Sequence, residues 1–446
     1  KKTRYVGMFV VCEMSAPKRQ AVAAKSCYEN MDEFHPKIFI GAKMKKYITS
    51  ERSNLFEPNV YISVAVKITG LISAENAKKA IEFAYMANEA TMSKIVLEEN
   101  GDTYYEKVEA SGCKIFFDNR DMKFIINESD KLPFAINKGE LVRSYIISES
   151  QGITLLIHAH HLVGDGKSIL ILISDILDRL AGKALTYKPM TLIDKEYLIG
   201  KAKLPLGVKL FVKNINRKWE KTGRAFTWDD YYTIHKKYWG NHSSDFEIET
   251  YSADEMKKDC KNGVTLNSLL IAKMLKEFPE SKIVGIPLSI REDNKSMSNQ
   301  TSGISLKYRY NPQKSFEKNL TRIHKRIYKL LGDKNTKYFV LLFVAELCPS
   351  LIDSVLLQTH GCYQNKLSEK MANVMGYTSK NGPDLGVTNL TRIDIPGDFG
   401  NFKVSDMLFI PPKVSYSRQV IGVSTFGDKL TVCWHRMKIE NPSKGL

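Results

Sequence analysis

The pattern of apolar and polar residues predicts a chain that mixes strands and helices along its whole length. Segments in which apolar residues alternate or are β-branched are typical of strands, and segments in which they recur every three or four positions are typical of helices. Ser73 is a predicted helix cap that precedes one such helical segment. Strands are predicted over 61–68, 142–147, 153–161, 246–250 and 283–289, hairpins over 94–108 and 420–433, and helices over 168–180, 266–278 and 316–331.

The segment 186–245 differs from its surroundings because its periodicity weakens and prolines, lysines and tryptophans become frequent. We interpret it as a crossover between two α/β halves of similar size. The expected organisation is therefore an N-terminal half over 1–185, the crossover over 186–245 and a C-terminal half over 246–446. A length of 446 residues agrees with two domains.

Composition limits the classes of protein that remain. Hydrophobic residues make up 43% and charged residues 26%, which is typical of a globular chain and excludes a mostly disordered or collagen-like one. The longest apolar stretch, 339–345, is much shorter than the roughly 20 residues of a membrane-spanning helix, so no membrane span is expected. The cysteines are odd in number, scattered and without a CxxC pair, which favours a reducing, cytoplasmic location over a metal cluster or a disulfide framework. They are Cys12, Cys27, Cys113, Cys260, Cys348, Cys362 and Cys433.

The charge balance is strongly basic, with 66 Lys and Arg against 49 Asp and Glu, a net charge of +17. Such an excess attracts nucleic acid, anionic lipid or a phosphate-bearing ligand. The densest basic patch is one face of the helix predicted over 316–331, and it is interpreted either as a solvated face or as a surface for phosphate or a partner. A nucleic-acid partner is not expected, because the chain has no recognisable binding motif and no interleaved cluster of basic and aromatic residues.

The segment IHAHHLVGDGKS, at 157–168, combines several residues that can carry chemistry. Alternation along the predicted strand puts His161 on its apolar face and His160 on the opposite face. Burial favours the neutral imidazole that a general base needs at physiological pH. The strand breaks just after the histidines, so a cleft can reach His161, and Asp165 and Gly166 open the next helix close to it.

Each of these residues also has an ordinary structural interpretation. His160 and His161 could be histidines of the core, and Asp165 could be a helix N-cap whose carboxylate accepts backbone N–H groups. Gly164 and Gly166 could serve only the turn. The combination is more specific than any of its members.

The segment HHLVGDG, at 160–166, resembles the HHxxxDG motif of the coenzyme A-dependent acyltransferase superfamily. That superfamily includes chloramphenicol acetyltransferase, the condensation domains of nonribosomal peptide synthetases, alcohol acetyltransferases and the BAHD acyltransferases. The segments LPFAINKGELVRSYII, GVTLNSLLIAKML, PLSIR and DFGNF resemble further family segments in the same order, over roughly residues 60–435. The resemblance implies an α/β fold in which two chloramphenicol acetyltransferase-like halves, each an α+β two-layer sandwich, form a pseudo-dimer with a tunnel between them.

The resemblance also implies roles for individual residues of the motif. His161, the second histidine, matches the general base, and His160 is its companion. Asp165 matches an aspartate that forms an ion pair with an arginine of the other half, here Arg291, and has a structural role. Gly166 matches a glycine that lets the substrate approach closely.

Further matched positions lie in the second half of the chain. Thr388 or Asn389 matches the residue that contacts the developing oxyanion, and Asp398 and Gly400 belong to the architectural DFG segment. Asn401 stands where BAHD enzymes carry Trp, so the chain is more similar to the condensation domains and alcohol acetyltransferases. No metal site is expected, because the scattered cysteines argue against a zinc cluster.

The implied function is transfer of an acyl group, acetyl among the candidates, from a thioester to an alcohol or amine. The donor is coenzyme A or the pantetheine thiol of an acyl carrier protein, and it is a co-substrate rather than a permanently bound cofactor. Both halves belong to one chain, so a monomer is expected. The alternative is a condensation-like fold that acts as a non-catalytic binding or partner module.

Overall fold

The computed structural model describes residues 45–261, 263–292, 295–378, 382–417 and 419–439. The strands are β1 Lys46–Tyr47, β2 Tyr61–Gly70, β3 Ser93–Leu97, β4 Thr103–Lys107, β5 Lys114–Phe117, β6 Val142–Glu149, β7 Gly152–His160, β8 His242–Ser252, β9 Ile283–Ser289, β10 Thr301–Lys307, β11 Leu385–Arg392, β12 Phe402–Ile410, β13 Gln419–Phe426 and β14 Lys429–Ile439. The α-helices are α1 Ala74–Ala87, α2 Met122–Lys131, α3 Gly166–Leu180, α4 Lys195–Leu198, α5 Leu206–Glu220, α6 Trp228–Trp239, α7 Ala253–Lys258, α8 Leu266–Glu277, α9 Phe316–Gly332, α10 Lys334–Ala345, α11 Pro349–Thr359 and α12 Lys366–Met375.

The strands form two large sheets and one small sheet, so the mixed α/β class that the sequence predicts is confirmed. The first large sheet has the order β12-β2-β7-β6-β5, and the second has the order β10-β9-β11-β13-β14-β8. The small sheet has the order β1-β4-β3. Strand β12 comes from the C-terminal part of the chain but pairs antiparallel with β2, where Phe402 lies opposite Gly70. The two halves of the chain therefore share a sheet.

Helices cover one face of the first sheet because their apolar positions recur at helical spacing. Helix α3 has an apolar stripe that packs with α1 and with the alternate, inward-facing residues of β7 in one core cluster. A second core cluster lies between the second sheet and helices α8 and α9. Asp165 caps α3, and Gly182 follows its end with a φ of +80°. The buried residues of the stripe on α3 are Ile169, Leu172, Ile173, Ile176 and Leu177.

The segment 186–245, interpreted as a crossover of weak periodicity, contains the helices α4, α5 and α6. Their buried side chains include Trp219, Tyr231 and Ile234, which belong to the core cluster of the first sheet. The apolar face of α6 consists largely of Tyr, His and Trp, whose polar atoms hide the helical periodicity in a hydropathy pattern. A capping box between Thr227 and Asp230 begins α6.

Most of the elements that the pattern predicts are confirmed, several of them with small changes in length. The strand predicted over 283–289 is β9 with the same bounds, and the hairpin predicted around Asn100 is formed by β3 and β4. The strand predicted over 246–250 is the middle of the longer β8. The basic side chains of α9 at 318, 322, 325, 326 and 329 are exposed, as either interpretation of this face requires.

The structure also provides observations on two expectations from composition, which concern membrane-spanning helices and the cysteines. Among the described residues, no single helix is long and apolar enough to cross a membrane, although α10 and α11, bent by 92°, pass that test as a pair. Cys12 and Cys27 lie outside the described residues. The five described cysteines, Cys113, Cys260, Cys348, Cys362 and Cys433, are free.

Candidate active site

A cavity of about 800 Å³ is lined by residues of both large sheets. The first sheet and the turn after β7 contribute Ile62, Phe409 and His161, and the second sheet contributes residues of β9, β10 and β11 such as Ile304. A volume of this size is typical of a site for a small molecule. The catalytic histidine proposed from the sequence therefore lines a cavity and is not sealed in the core.

The strand predicted over 153–161 ends one residue earlier in the structure, so His161 lies just beyond it. Strand β7 ends at His160, and His161 begins a 3₁₀ turn over 161–163 that ends at Gly164. The backbone of His161 is still tied to the sheet, because its N–H donates to the carbonyl of Val60 at 3.0 Å. Ala159 is paired with Ile62, which also lines the cavity, so the face that alternation assigns to His161 is the face that borders the cavity.

The His161 ring is in the protonation state that a base requires. Burial lowers its pKa below the ordinary value of 6.5, and the carboxylate of Asp165 partly opposes this effect. Nδ1 is buried and has no hydrogen-bond partner among the described residues. Since His161 lines the cavity, Nε2 is the candidate nitrogen for contact with a molecule there.

The structure brings Asp165 and Arg291 together across the two halves of the chain. Nη2 of Arg291 donates to Oδ1 of Asp165 at 2.8 Å, and both side chains are at least 95% buried. Asp165 also caps α3, since Oδ1 accepts from the backbone N–H of Ser168 at 2.9 Å. Its Oδ2 accepts from the N–H of Gln300 at 3.1 Å and from the hydroxyl of Thr301 at 2.9 Å. Both roles weighed for Asp165, N-cap and ion-pair partner, thus coexist, and the carboxylate is fully used.

Two glycines of the motif meet different steric limits. Gly164 has a φ of +146°, and a Cβ at this position would lie 2.4 Å from the side chain of Ser168. Gly166 lines the cavity, and a Cβ there would lie 2.6 Å from Cδ2 of Leu390. Gly164 therefore allows the turn to close against α3, and Gly166 allows the side chain of Leu390 to pack closely against the start of α3.

His160 does not line the cavity, and its environment is that of a core histidine. Its ring lies 5.9 Å from the ring of Tyr61 and 6.0 Å from that of Phe134, centroid to centroid. Burial, the largest effect, lowers its pKa to about 3, and unfavourable coupling to the nearby rings of His161 and His235 acts in the same direction. Nδ1 accepts from the backbone N–H of Leu162 at 3.2 Å, so His160 shapes the turn that carries His161.

The two oxyanion candidates lie on β11 at the cavity, but only one has a free side chain. The amide of Asn389 is engaged, because Oδ1 accepts from the N–H of Thr391 at 2.7 Å and Nδ2 contacts Asn267 at 3.4 Å. Thr388 shares its face of the strand with Gly386 and Leu390, which also line the cavity. Between the two, the geometry favours Thr388.

The DFG segment lies away from this cavity. Asp398 and Gly400 are not among the lining residues, and Asp398 is a loop residue whose Oδ1 accepts from the N–H of Gly400 at 2.8 Å. Nζ of Lys403 lies 3.5 Å from its Oδ2. The segment orders the loop that leads into β12, which agrees with the architectural role implied by the resemblance.

Three residues near His161 were not found from the sequence. Nδ2 of Asn299 donates to the carbonyl of His161 at 2.6 Å and also to Oε2 of Glu51, a buried residue that lines the cavity. The hydroxyl of Tyr105 lies 2.8 Å from Oε1 of Glu51 and 2.7 Å from the carbonyl of Leu162. These residues come from distant parts of the chain and belong to no periodic or motif pattern, so no sequence signal marks them.

Comparison with known proteins supports the fold assignment. No protein-family model matches the chain. A curated relative is the polyketide synthase PksN of Bacillus subtilis (strain 168), which is 28% identical over 127 residues. That match covers 26% of this chain and 2% of PksN, so the chain corresponds to a small part of that relative.

Several solved structures have a similar fold at low sequence identity. The first condensation domain of the CDA synthetase matches with a TM-score of 0.58 and 12% identity over 89% of this chain and 91% of that chain. Polyketide synthase associated protein 5 from Mycobacterium tuberculosis matches with a TM-score of 0.56 and 12% identity over 91% and 96%. A mutant starter condensation domain of rhizomide synthetase, solved in complex with C8-CoA and Leu-SNAC, matches with a TM-score of 0.56 and 10% identity over 88% of each chain. The chain has the condensation-domain fold, with two chloramphenicol acetyltransferase-like halves, as the resemblance predicts.

Proposed function

We propose that the protein is an acyltransferase that moves an acyl group from a coenzyme A or pantetheine thioester to an alcohol or amine. The observation that carries this proposal is the position of His161, whose lowered pKa leaves it neutral and whose Nε2 is the candidate contact nitrogen in a cavity lined by both halves. A likeness in fold to condensation domains agrees with acyl transfer as the reaction class.

In the proposed reaction Nε2 of His161 accepts the proton of the acceptor hydroxyl or amine as its oxygen or nitrogen attacks the thioester carbonyl. A C–O or C–N bond forms, and the carbonyl oxygen becomes an oxyanion. When the tetrahedral intermediate collapses, the C–S bond breaks and the imidazolium returns the proton to the leaving thiolate. No acyl-enzyme is needed, because both substrates meet at His161.

The surrounding residues support these steps without exchanging protons themselves. The hydroxyl of Thr388 is the proposed oxyanion donor, since it faces the cavity from β11. Asp165 is saturated by hydrogen bonds and by Arg291, so it holds the turn and raises the basicity of His161 through its charge. Gly166 allows the side chain of Leu390 to pack closely at the wall of the cavity.

The donor enters as a thioester whose phosphates are anionic, which agrees with the excess of basic residues. Free coenzyme A and a carrier-protein pantetheine present the same thioester to His161. A panel that contains acyl-coenzyme A, an acyl-pantetheine and an acylated carrier protein separates these donors. We further propose a cytoplasmic monomer with no nucleic-acid partner.

The test measures release of free thiol from each donor with a panel of alcohols and amines, for wild type, His161→Ala and His324→Ala. General-base assistance contributes about 10²–10⁴-fold, so His161→Ala should lose that factor in kcat. His324 lies on α9, away from the cavity, and its variant should react like wild type. Equal background rates for wild type and His161→Ala across the panel would instead indicate the non-catalytic binding module.

A further inference from the structure

Glu51 is a buried carboxyl group beside the turn that carries His161. The side chain lines the cavity, and each of its oxygens has one polar neighbour: Tyr105 at Oε1 and Asn299 at Oε2. The same two neighbours also reach the turn, since Asn299 donates to the carbonyl of His161 and Tyr105 contacts the carbonyl of Leu162. Glu51, Tyr105 and Asn299 thus form one hydrogen-bonded group that holds the carbonyls of His161 and Leu162. We call this group the bracket, and Glu51 is its central member.

Counting hydrogens in this bracket assigns the protonation state of Glu51. The Tyr105 hydroxyl has one hydrogen but lies within 2.8 Å of two acceptors, Oε1 of Glu51 and the carbonyl of Leu162. A carbonyl can only accept, so the hydroxyl donates to Leu162. The second contact is then a hydrogen bond only if Glu51 carries a proton on Oε1 and donates it to Tyr105. The amide of Asn299 has two hydrogens and can donate to both Oε2 and the carbonyl of His161.

We infer that Glu51 is a positioning residue that works as a neutral carboxylic acid: through Tyr105 and Asn299 it holds the His161–Leu162 turn, and hence the imidazole, in place. This inference rests on the proposed function for its catalytic consequence, but the protonation state and the bracket stand independently of it. Glu51 does not exchange protons with the substrate in this role.

The electrostatic surroundings agree with a neutral Glu51. The pKa of Glu51 is raised to about 7, mainly by burial and to a smaller extent by the carboxylate of Asp165, while the hydrogen bonds with Asn299 and Tyr105 oppose these effects. The cations nearby are already engaged: Arg291 binds Asp165, and Arg52 pairs with Asp353. His161 is neutral, so no free positive charge stabilises an ionised Glu51 from these neighbours.

The backbone that carries Glu51 is fixed by the adjacent residue. Nε and Nη2 of Arg52 donate to the two oxygens of Asp353 on α11, at 2.8 and 2.5 Å, and Nη2 also donates to the carbonyl of Gly101 at 2.9 Å. Both charged side chains are almost fully buried. The buried ion pair of Arg52 with Asp353 thus fixes the backbone at Glu51 next to β4 and the turn, as a positioning residue requires.

Ionisation of Glu51 should loosen the bracket. An ionised carboxylate only accepts, so it draws the hydrogen of Tyr105 away from the carbonyl of Leu162. Loss of one hydrogen bond corresponds to about a fivefold change in a rate that depends on it. The wild-type kcat should therefore fall about fivefold as the pH rises through 7 toward 8.5.

The test compares wild type, Glu51→Gln, Glu51→Ala and Tyr105→Phe at pH 6 and pH 8.5. The glutamine amide donates to Tyr105 and its oxygen accepts from Asn299 at every pH, so Glu51→Gln should lose the alkaline fall that wild type shows. Glu51→Ala and Tyr105→Phe should be slow at both pH values, because each breaks the bracket permanently. An alkaline fall that persists unchanged in Glu51→Gln would overturn the inference.

A second measurement does not depend on turnover. The infrared difference spectrum of wild type minus Glu51→Gln should show the C=O stretch of a protonated carboxylic acid at pH 6, and this band should disappear at pH 8.5. A carboxylate band at pH 6 would refute the neutral Glu51. If the protonated band is present while no donor is turned over, the acyltransferase proposal fails and the assigned protonation state remains.

Discussion

Replacing Asp165 by Asn should destabilise the protein far more than its small chemical change suggests. The carboxylate accepts five hydrogen bonds, from the backbone N–H groups of Ser168 and Gln300, the hydroxyls of Ser168 and Thr301, and the guanidinium of Arg291. In Asn one carboxylate oxygen becomes an NH2 group, which cannot accept, so the hydrogen bonds on that oxygen are lost. The substitution also leaves the Arg291 side chain, 2% exposed, without a counter-charge.

The expected magnitude follows from this burial. Removing one partner of a buried ion pair typically costs about 3–5 kcal/mol, so we expect about 4 kcal/mol for Asp165→Asn. Arg291→Met leaves the four other donors on Asp165 and should cost about 3 kcal/mol, near the lower end of the same range. The double variant should cost clearly less than the sum, with a coupling energy of about 2–3 kcal/mol.

The free energies of unfolding come from urea titrations followed by tryptophan fluorescence and circular dichroism. The tryptophans at 219, 228 and 239 report on the first core and Trp434 on the second. Asp398→Asn with Lys403→Met is the control pair, because these side chains are 62% and 68% exposed and should couple by less than about 1 kcal/mol. Additive effects of the Asp165 and Arg291 variants would refute the argument that this ion pair joins the two halves at the site.

Other variants test the remaining parts of the site. Because burial lowers the pKa of His161, kcat/KM should fall on the acid side only as the pH drops through a value below 6.5, and this acid limb is separate from the fall above pH 7 assigned to Glu51; a pH–rate profile whose acid limb lies above 6.5 would contradict this. Gly164→Ala should lower the free energy of unfolding in urea by about 2–4 kcal/mol, because of the φ at Gly164 and the overlap of a Cβ with Ser168. Gly182→Ala, at a positive φ but in open space, should lower it by about 1 kcal/mol. Equal losses would show that the overlap at Gly164 is relieved. Thr388→Val should lower kcat by about 10²-fold with little change in KM if its hydroxyl binds the oxyanion, and an unchanged kcat would exclude it. The pKa of Glu51 in the folded protein is raised from 4.5 to about 7, so the contribution of its proton to stability is lost as the pH rises through 7. The free energy of unfolding of wild type relative to Glu51→Gln should therefore fall by about 1 kcal/mol between pH 6 and pH 8. A constant difference would show that Glu51 does not titrate in this range.

The sequence predicts the elements that are strongly periodic and fails where polar atoms share an apolar face. Strand β9 and helix α8 follow from their patterns, because most of their buried residues are apolar and not aromatic. Helix α6 does not, since Tyr231, Tyr238 and Trp239 are buried but score as only partly apolar. A hydropathy pattern records only the type of each residue. Burial also depends on tertiary packing, which the pattern does not contain.

The residues of the candidate site also divide into those that the sequence predicts and those that it does not. The contact of Asp165 with Arg291 was expected from a resemblance between segments, because a motif carries spatial information that local propensity lacks. Glu51 was missed because its partner Asn299 is 248 positions away and neither belongs to a recognisable segment. The end of the strand before His161 was missed by one residue, since the hydrogen bond from the His161 N–H to Val60 continues the sheet while the backbone of His161 already turns.

The pairing of β12 with β2 joins Lys403 to Thr69, positions more than 300 residues apart. Neither half can complete its architecture before nearly all of the polypeptide is available, so co-translational maturation of the N-terminal half must wait for late synthesis. Until β12 arrives, the edge of β2 is an open template for association with other chains. Severing the chain between the halves would consequently leave an N-terminal fragment prone to aggregation, and adding a fragment that contains β12 should rescue it.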